Sequence, residues 1–293
     1  MTTILVTGAS GLVGSQVTRD LVAKNFDVYS CYHIEKPQIG TIIQLDLTKQ
    51  DQIISVVKSI KPEIIIHLAA LTDVDVCETQ KELAYLINVQ ATKTLAVESS
   101  KHDSFFVYAS TDYVFDGKNG MQNETDMANP LNFYGKTKLE GEHVVADSIP
   151  SYSIIRTSTP FGMHEKKKSF PIWLKENLES KKQIPVLVDQ FTSPTFVPDF
   201  SNMLIEIATK RIKGIMHVAG ATRISRYEFA KIIADKFHLD NTLLKPVKID
   251  EMKWVAPRPQ DSSLDVSKAV KILDYKPQQI EQSVKHFVNQ MKP

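Results

Sequence analysis

The amino-acid sequence predicts an α/β protein: a doubly wound parallel sheet followed by a smaller C-terminal cap. Three observations carry that expectation. Short β-branched runs alternate with amphipathic stretches through the first half, the runs are mostly apolar with no regular polar alternation, and the rhythm changes after about Phe161. Strands apolar on both sides need cover on both faces, which helices flanking a parallel sheet provide.

The apolar runs are residues 3–6, 28–32, 42–45, 64–68, 105–109 and 153–156. Between them, Val13, Val17 and Leu21 recur at four-residue spacing, as do Leu83, Ile87, Ala91 and Leu95, the mark of helices with one apolar face. Thr48 with Asp51 three residues on resembles a helix start, and Pro62 sits where that helix pattern ends. Residues 164–182 carry Lys166, Lys167, Lys168, Lys175, Lys181 and Lys182 around an apolar 170–174 segment. That pattern favours a solvated helix preceded by a flexible loop; the alternative is a lid whose lysines approach a diphosphate. Residues 227–237 have amphipathic helical spacing, and a Pro-rich segment follows at 254–259.

Composition narrows the class. The 293 residues are 42% hydrophobic and 24% charged, as expected of a soluble globular chain able to bury a core without disulfides. The net charge of +1 gives no reason to expect nucleic acid or an anionic membrane as partner. Cys31 and Cys77 lie in separate segments without metal-ligand spacing, so no metal is expected. The N-terminal stretch lacks the features of a signal peptide, and no apolar run is long enough to span a bilayer, so the expected location is cytoplasmic.

Gly8-Ala-Ser-Gly11-Leu12-Val13-Gly14 follows the first strand and opens the first helix. Glycines there permit the tight turn, let backbone approach a pyrophosphate, and allow helix and strand to pack closely. This placement indicates a Rossmann-like dinucleotide site, with 1–160 as the dinucleotide-binding domain. Residues 161–293 form mainly the cap, with part of 184–219 returning to the sheet domain. An acid ending the second strand would hold the adenosine ribose of NAD. That strand ends Tyr32-His33 instead; Glu35 comes late, and Lys36 beside His33 suits a 2′-phosphate. NADP is therefore expected over NAD, with NAD left open.

Tyr134 and Lys138, four residues apart, share one face of a helix, whereas Lys136 points elsewhere. A nearby cation favours the phenolate and makes the phenol a better proton donor. With Asn132 as N-cap, Tyr134 lies in the first turn, where the helix dipole acts in the same direction. Tyr32 with Lys36 and Tyr227 with Lys231 repeat the spacing. Tyr32 falls at a strand end before Pro37, and Tyr227 lies among core-packing neighbours. Ser110 and Thr111 directly follow the 105–109 strand, at the carboxyl edge where ligands of open α/β sheets bind. Thr111 can there set a second hydroxyl beside the phenol.

With these motifs in place, the chain resembles the extended short-chain dehydrogenase/reductases, most closely the dTDP-4-dehydrorhamnose reductase group. The match is carried by Thr7-Gly-Ala-Ser-Gly-Leu-Val-Gly14, His67-Leu-Ala-Ala70, Ser110-Thr-Asp-Tyr-Val-Phe-Asp-Gly117, the 130–142 string around Tyr134, Asp189-Gln190, Ser193-Pro-Thr195 and Arg258-Pro259. The resemblance implies a catalytic trio of Thr111, Tyr134 and Lys138, with Lys138 also holding the nicotinamide ribose. It implies that Asp46 and Leu47 flank adenine, that Ala69 and Ala70 line the cofactor path, and that Asp112, Tyr113 and Arg258 face a sugar nucleotide. The reaction implied is reduction of the C4 ketone of a dTDP-linked 4-keto-6-deoxy sugar. The nucleotide sugar is then the expected partner, with a homodimer left open. Two departures stand out. Thr159 occupies a position that is commonly aromatic in the group, and Ser15-Gln16 lack the acid expected for a magnesium-bridged dimer. Other nucleotide-sugar oxidoreductases or epimerases share the scaffold. The β subunit of methionine adenosyltransferase, a regulatory protein, is also similar.

Overall fold

Each of the six apolar runs forms a strand: β1 (Thr3–Thr7), β2 (Asp27–Tyr32), β3 (Thr41–Gln44), β4 (Ile64–His67), β5 (Phe105–Thr111) and β6 (Tyr152–Thr157). The computed structural model describes residues 1–291. Shorter strands follow: β7 (Pro160–Phe161), β8 (Ile184–Leu187), β9 (Phe191–Thr192) and β10 (Thr195–Phe196). The last three are β11 (Gly214–His217), β12 (Ile224–Ser225) and β13 (Leu244–Val247). The main sheet is parallel, in the order β3-β2-β1-β4-β5-β6-β11. The order reverses between β1 and β4, so a crevice opens beyond their carboxyl ends.

Successive side chains along β1 point to opposite faces, and each face has its own helical cover. Ile4 and Val6 join a core with Val17 and Leu21 of α1 (Leu12–Ala23). Leu5 joins Ile53 and Val57 of α2 (Gln50–Ile60), on the other side. The covering helices continue with α3 (Val74–Thr79), α4 (Lys81–Tyr85), α5 (Ala91–Ser100) and α6 (Phe133–Ser148). Beyond them come α7 (Phe170–Glu179), α8 (Val197–Lys210), α9 (Arg226–Lys236), α10 (Ser267–Ile272) and α11 (Ile280–Gln290). A separate aromatic core holds the cap, with Phe161, Phe196, Phe229 and Phe287 packed together. Between its cap segments the chain returns to the sheet: Phe200, Met203, Leu204 and Ile207 of α8 pack in the α1 core, and β11 pairs with β6. Among the described residues, no helix is long and apolar enough to cross a membrane.

Two local details differ from the sequence reading. Helix α2 is capped by Lys49 rather than Thr48. Asp46 takes both the backbone N–H and the hydroxyl of Thr48, at 2.9 and 2.7 Å, so a side-chain turn precedes the helix. Its other end follows expectation: Lys61 turns left-handed (φ 49°) before Pro62. The four-residue series from Leu83 to Leu95 does not run through one regular helix. A π-helical turn at Leu86–Gln90 joins α4 to α5 and turns the polar Asn88 into the interior.

The entry into α1 is set by close approach. Gly8 adopts φ +70°, and a Cβ on Gly14 would lie 2.0 Å from the Gly8 carbonyl oxygen. That oxygen is backbone and cannot rotate away. Gly14→Ala is therefore expected to cost about 2 kcal/mol or more, in the upper range of overpacking penalties. Denaturant unfolding reads this directly, and wild-type stability in the variant would contradict the contact.

Candidate active site

The carboxyl edge of β1–β4 assembles one continuous cradle. Gly11 caps α1 without a side-chain acceptor, so the N–H groups of the first turn, including Leu12 and Val13, face an acceptor from outside the helix. A Cβ on Gly8 would meet the Ala69 backbone nitrogen at 2.8 Å, so the glycine turn lies directly against Ala69 and Ala70 after β4. At the next edge His33 is exposed, its Nε2 3.9 Å from Asp46 after β3. The Thr48 hydroxyl, chiefly, holds the Asp46 carboxyl below its ordinary range. Leu47 packs half-buried on the α2-side core. Gly8, Gly11, Leu12, Val13, Gly14, His33, Asp46, Leu47, Ala69 and Ala70 thus follow one edge. A narrow backbone cradle at a helix N-terminus fits a dinucleotide pyrophosphate. Among the described residues, no group of three or more His, Cys, Asp or Glu is arranged to hold a metal ion.

Helix α6 begins where the sequence places it. The Asn132 side chain accepts from the Gly135 N–H at 2.8 Å, putting Tyr134 in the first turn. Lys136 is exposed and Lys138 buried. The electrostatics differ from the simple expectation. Burial pushes the Tyr134 phenol well up from its ordinary value, and a hydrogen bond with Thr111 pulls the other way. Burial also pulls Lys138 down to about 7, against the opposing pull of Glu142. The Lys138 ammonium rests 4.0 Å from the centre of the Tyr108 ring. Burial thus governs both shifts, and the expected lowering of the phenol by the ammonium is not among their causes. Of the rival tyrosines, Tyr32 ends β2 and Tyr227 packs on the cap core.

Two supports for this site were not read from the sequence. The first is Glu142, one helical turn beyond Lys138. It accepts from Arg156 Nε and Nη2 at 2.9 and 2.6 Å and from the Ser110 hydroxyl at 2.5 Å, all buried. The second is a relay through His67. Thr7 Oγ1 accepts from the Ala69 N–H at 3.2 Å and lies 2.6 Å from His67 Nδ1. His67 Nε2 lies 3.0 Å from the Thr92 hydroxyl, which donates to the Asn88 carbonyl at 2.8 Å. With Thr92 committed as donor there, Nε2 carries the imidazole proton and Nδ1 accepts from Thr7. The Asn88 side chain donates on to Thr137, whose hydroxyl donates to the Tyr134 carbonyl. The relay joins the glycine turn to the helix bearing Tyr134. The spacing of Asn88 and Thr92 is a signal in hindsight, since two polar residues sit on a helix face expected to be apolar.

On the substrate side, two of the expected residues have partners within the protein. Asp112 is buried; its carboxylate accepts from Thr111 at 2.9 Å and Ser158 at 2.7 Å, so it holds Thr111 in place rather than facing an open cleft. Burial raises its pKa, and hydroxyls of Ser262, Ser158 and Thr111 oppose that rise. Arg258 Nη1 is committed to Asp75 at 3.0 Å and the Ala256 carbonyl at 2.7 Å, with Trp254 beneath the guanidinium. Tyr113 does lie beside the phenol, its ring edge-on to Tyr134 with centroids 6.1 Å apart. Arg226 was missed. It opens α9 inside the Ser225–Glu228 capping box, makes no ion pair among the described residues, and favours the charged forms of Asp112 and Tyr113. Thr159 is half-buried with φ +42°.

Residues 1–292 match the RmlD substrate binding domain family. The dTDP-4-dehydrorhamnose reductase of Aggregatibacter actinomycetemcomitans is 33% identical over 300 residues, covering 98% of this chain and 98% of that protein. Methionine adenosyltransferase 2 subunit beta of Xenopus tropicalis is 34% identical over 276 residues, covering 92% of this chain and 81% of that protein. The crystal structure of dTDP-4-dehydrorhamnose reductase from Bacillus anthracis in complex with NADP aligns at a TM-score of 0.90 and 31% identity. That alignment covers 99% of this chain and 100% of that one.

The relay sets a measurable pH dependence. Burial holds His67 at about 3, against 6.5 for a free histidine. Below 6.5 the unfolded chain takes up a proton that the folded chain refuses. The stability contributed by His67 is therefore full above 6.5 and is lost as pH falls toward 3. In His67→Gln, the gap in unfolding free energy from wild type should narrow across that window. A gap that stays constant from pH 7 to 4 would contradict a buried, neutral His67.

Proposed function

The chain belongs to the RmlD substrate binding domain family, and on that premise we propose that it is an NADPH-dependent reductase of nucleotide-linked 4-keto-6-deoxy sugars, with dTDP-4-dehydrorhamnose as substrate. One observation carries the reading: Thr111, Tyr134 and Lys138 converge at the carboxyl edge of β5, beside the glycine cradle. NADPH held in that cradle supplies the hydride. The protein supplies the proton and the geometry. Tyr134, kept protonated by burial, donates its phenolic proton to the C4 oxygen as the ketone becomes an alcohol, and recovers a proton from water. The Thr111 hydroxyl, held in place by the Tyr113 N–H, would become the second donor to that oxygen by turning its single proton from Asp112 to the ketone. Lys138 holds the nicotinamide ribose. Arg226 and Arg258 flank Tyr113 from the cap, and a guanidinium grips a diphosphate through its planar fork.

The similarity to methionine adenosyltransferase 2 subunit beta supports a second reading, a regulatory subunit without turnover. The convergence of all three catalytic groups favours the enzyme. Loss of NADPH absorbance with dTDP-4-dehydrorhamnose separates the two. Tyr134→Phe should lower kcat by about 10²-fold or more while NADPH still binds, the usual scale of lost general-acid catalysis. Arg226→Ala should raise KM more than it lowers kcat. Near-full activity in Tyr134→Phe would refute the assigned proton donor. Absence of turnover with any 4-keto-6-deoxy sugar nucleotide, with NADPH shown to bind, would replace the reductase by the regulatory reading.

A further inference from the structure

The lysine-rich segment between β7 and α7 does not hang free in solvent. His164 Nε2 lies 3.1 Å from the Ser10 carbonyl oxygen in the glycine turn. Its Nδ1 accepts the backbone N–H groups of Lys166 and Lys167, at 3.1 and 2.8 Å. With Nδ1 an acceptor, Nε2 carries the proton and donates to Ser10, so one imidazole pins two turns together. A second tie runs to the loop after β2: Lys166 forms an ion pair with Glu35, and Gln38 donates to Glu165 at 3.4 Å. A segment of the cap therefore bridges the glycine turn and the β2–β3 loop, the two elements that flank the adenosine ribose of a bound dinucleotide.

We propose that this 163–168 segment is a clasp over the adenosine end of the cofactor, and that its Lys166 and Lys167, rather than the end of β2, give the protein its preference for a 2′-phosphate. The inference rests on the dinucleotide reading above. Glu35 is the one carboxylate in the 33–40 loop, and a carboxylate beside the ribose opposes a phosphate there. Lys166 neutralises it. Lys167 is exposed and makes no ion pair among the described residues; together Lys36, Lys166 and Lys167 outweigh Glu35 and Glu165 and leave this edge one positive charge. Lys168 turns the other way, to Glu176 of α7 at 2.7 Å. Ion pairing thus sends Lys166 to the β2–β3 loop and Lys168 to the cap helix, with Lys167 exposed between them.

The test is the ratio of NADH to NADPH dissociation constants, measured by protein fluorescence on the full chain without sugar substrate. In the double variant Lys166→Gln, Lys167→Gln the ratio should fall about tenfold or more through weaker NADPH binding, the scale of a lost charge-assisted phosphate contact, while NADH binding changes less than about twofold. His164→Ala, which unpins the segment, should move the ratio in the same direction. Lys168→Gln should leave it unchanged. The wild-type ratio should fall with added salt, because the contact is exposed. An unchanged ratio in the double variant, or an equal fall in Lys168→Gln, would overturn the clasp while leaving the dinucleotide site standing. Failure of the wild type to bind either cofactor would overturn both.

Discussion

Helix α6 reaches the sheet with few apolar side chains, chiefly Leu139 and Val145, and the buried pair of Glu142 and Arg156 fixes it there. The inner face of the helix carries Gly135, Thr137, Lys138, Gly141, Glu142 and Val145. Such a surface gains little from the hydrophobic effect. It gains closeness instead: a Cβ on Gly141 would lie 2.1 Å from the Tyr108 hydroxyl, and one on Gly135 would lie 2.2 Å from the Tyr113 carbonyl oxygen. At that separation the bidentate Arg156 clamp, with Ser110 from β5 on the same carboxylate, ties helix and two strands into one unit. A buried ion pair adds little net stability because desolvation offsets attraction, yet losing one partner costs about 3–5 kcal/mol. Its effect is on position. Tyr134, Lys138 and Glu142 follow each other at four-residue intervals, so fixing Glu142 fixes the register of the other two.

The second tie, through His67, acts on a different axis. The clamp sets α6 against β5 and β6, whereas the relay sets it against β1 and β4, where the glycine turn begins. Between them they join the glycine turn and the helix bearing Tyr134 into one edge. The π-helical turn at Leu86–Gln90 is needed for this. A regular helix through 81–100 would continue the apolar stripe, and the extra residue per turn rotates Asn88 inward to bond both Leu71 and Thr137. Lys138 experiences the consequence. It lies among Tyr108, His67, Cys77 and Glu142, where the Glu142 carboxylate and the Tyr108 ring favour its charge and burial opposes it. It is a cation held near the point of deprotonation.

Much of the fold was legible because burial on two faces leaves a local trace. Residues 64–66 are apolar in succession, as a strand buried on both faces requires. The glycine turn and the Tyr134/Lys138 pair were legible for the same reason, since each is a local spacing with a steric or helical meaning. What escaped were choices between distant partners. Asp112 stands beside Tyr113 in the catalytic string, but Ser158, 46 residues on, captures its carboxylate. Arg258 was expected on a diphosphate, and Asp75, 183 residues away, holds its Nη1. Arg226 belongs to no sequence motif, and the spacing of the cap lysines favoured a solvated run. A side chain's partner across the fold is not periodic in sequence, so no spacing rule reports it.

The same reasoning changes the meaning of Thr159. As a sequence difference it is a small hydroxyl residue where the resemblance implies a ring. In the structure it is also a β-branched residue at φ +42°, a conformation that costs about 1–3 kcal/mol unless its surroundings impose it. The surroundings do impose it. The chain leaves β6 for the cap at this point, the Thr159 carbonyl accepts from the Thr195 N–H at 3.2 Å, and the Thr195 hydroxyl donates to the Ser158 carbonyl at 2.7 Å. Ser158 in turn donates to Asp112, which orients Thr111, and accepts from the Ser193 N–H at 3.2 Å. The kink at Thr159 is therefore the joint at which cap and catalytic edge are registered. A substitution there acts through backbone strain as well as through any contact with a sugar, so its effect on turnover reports the seating of the cap as much as the shape of the pocket.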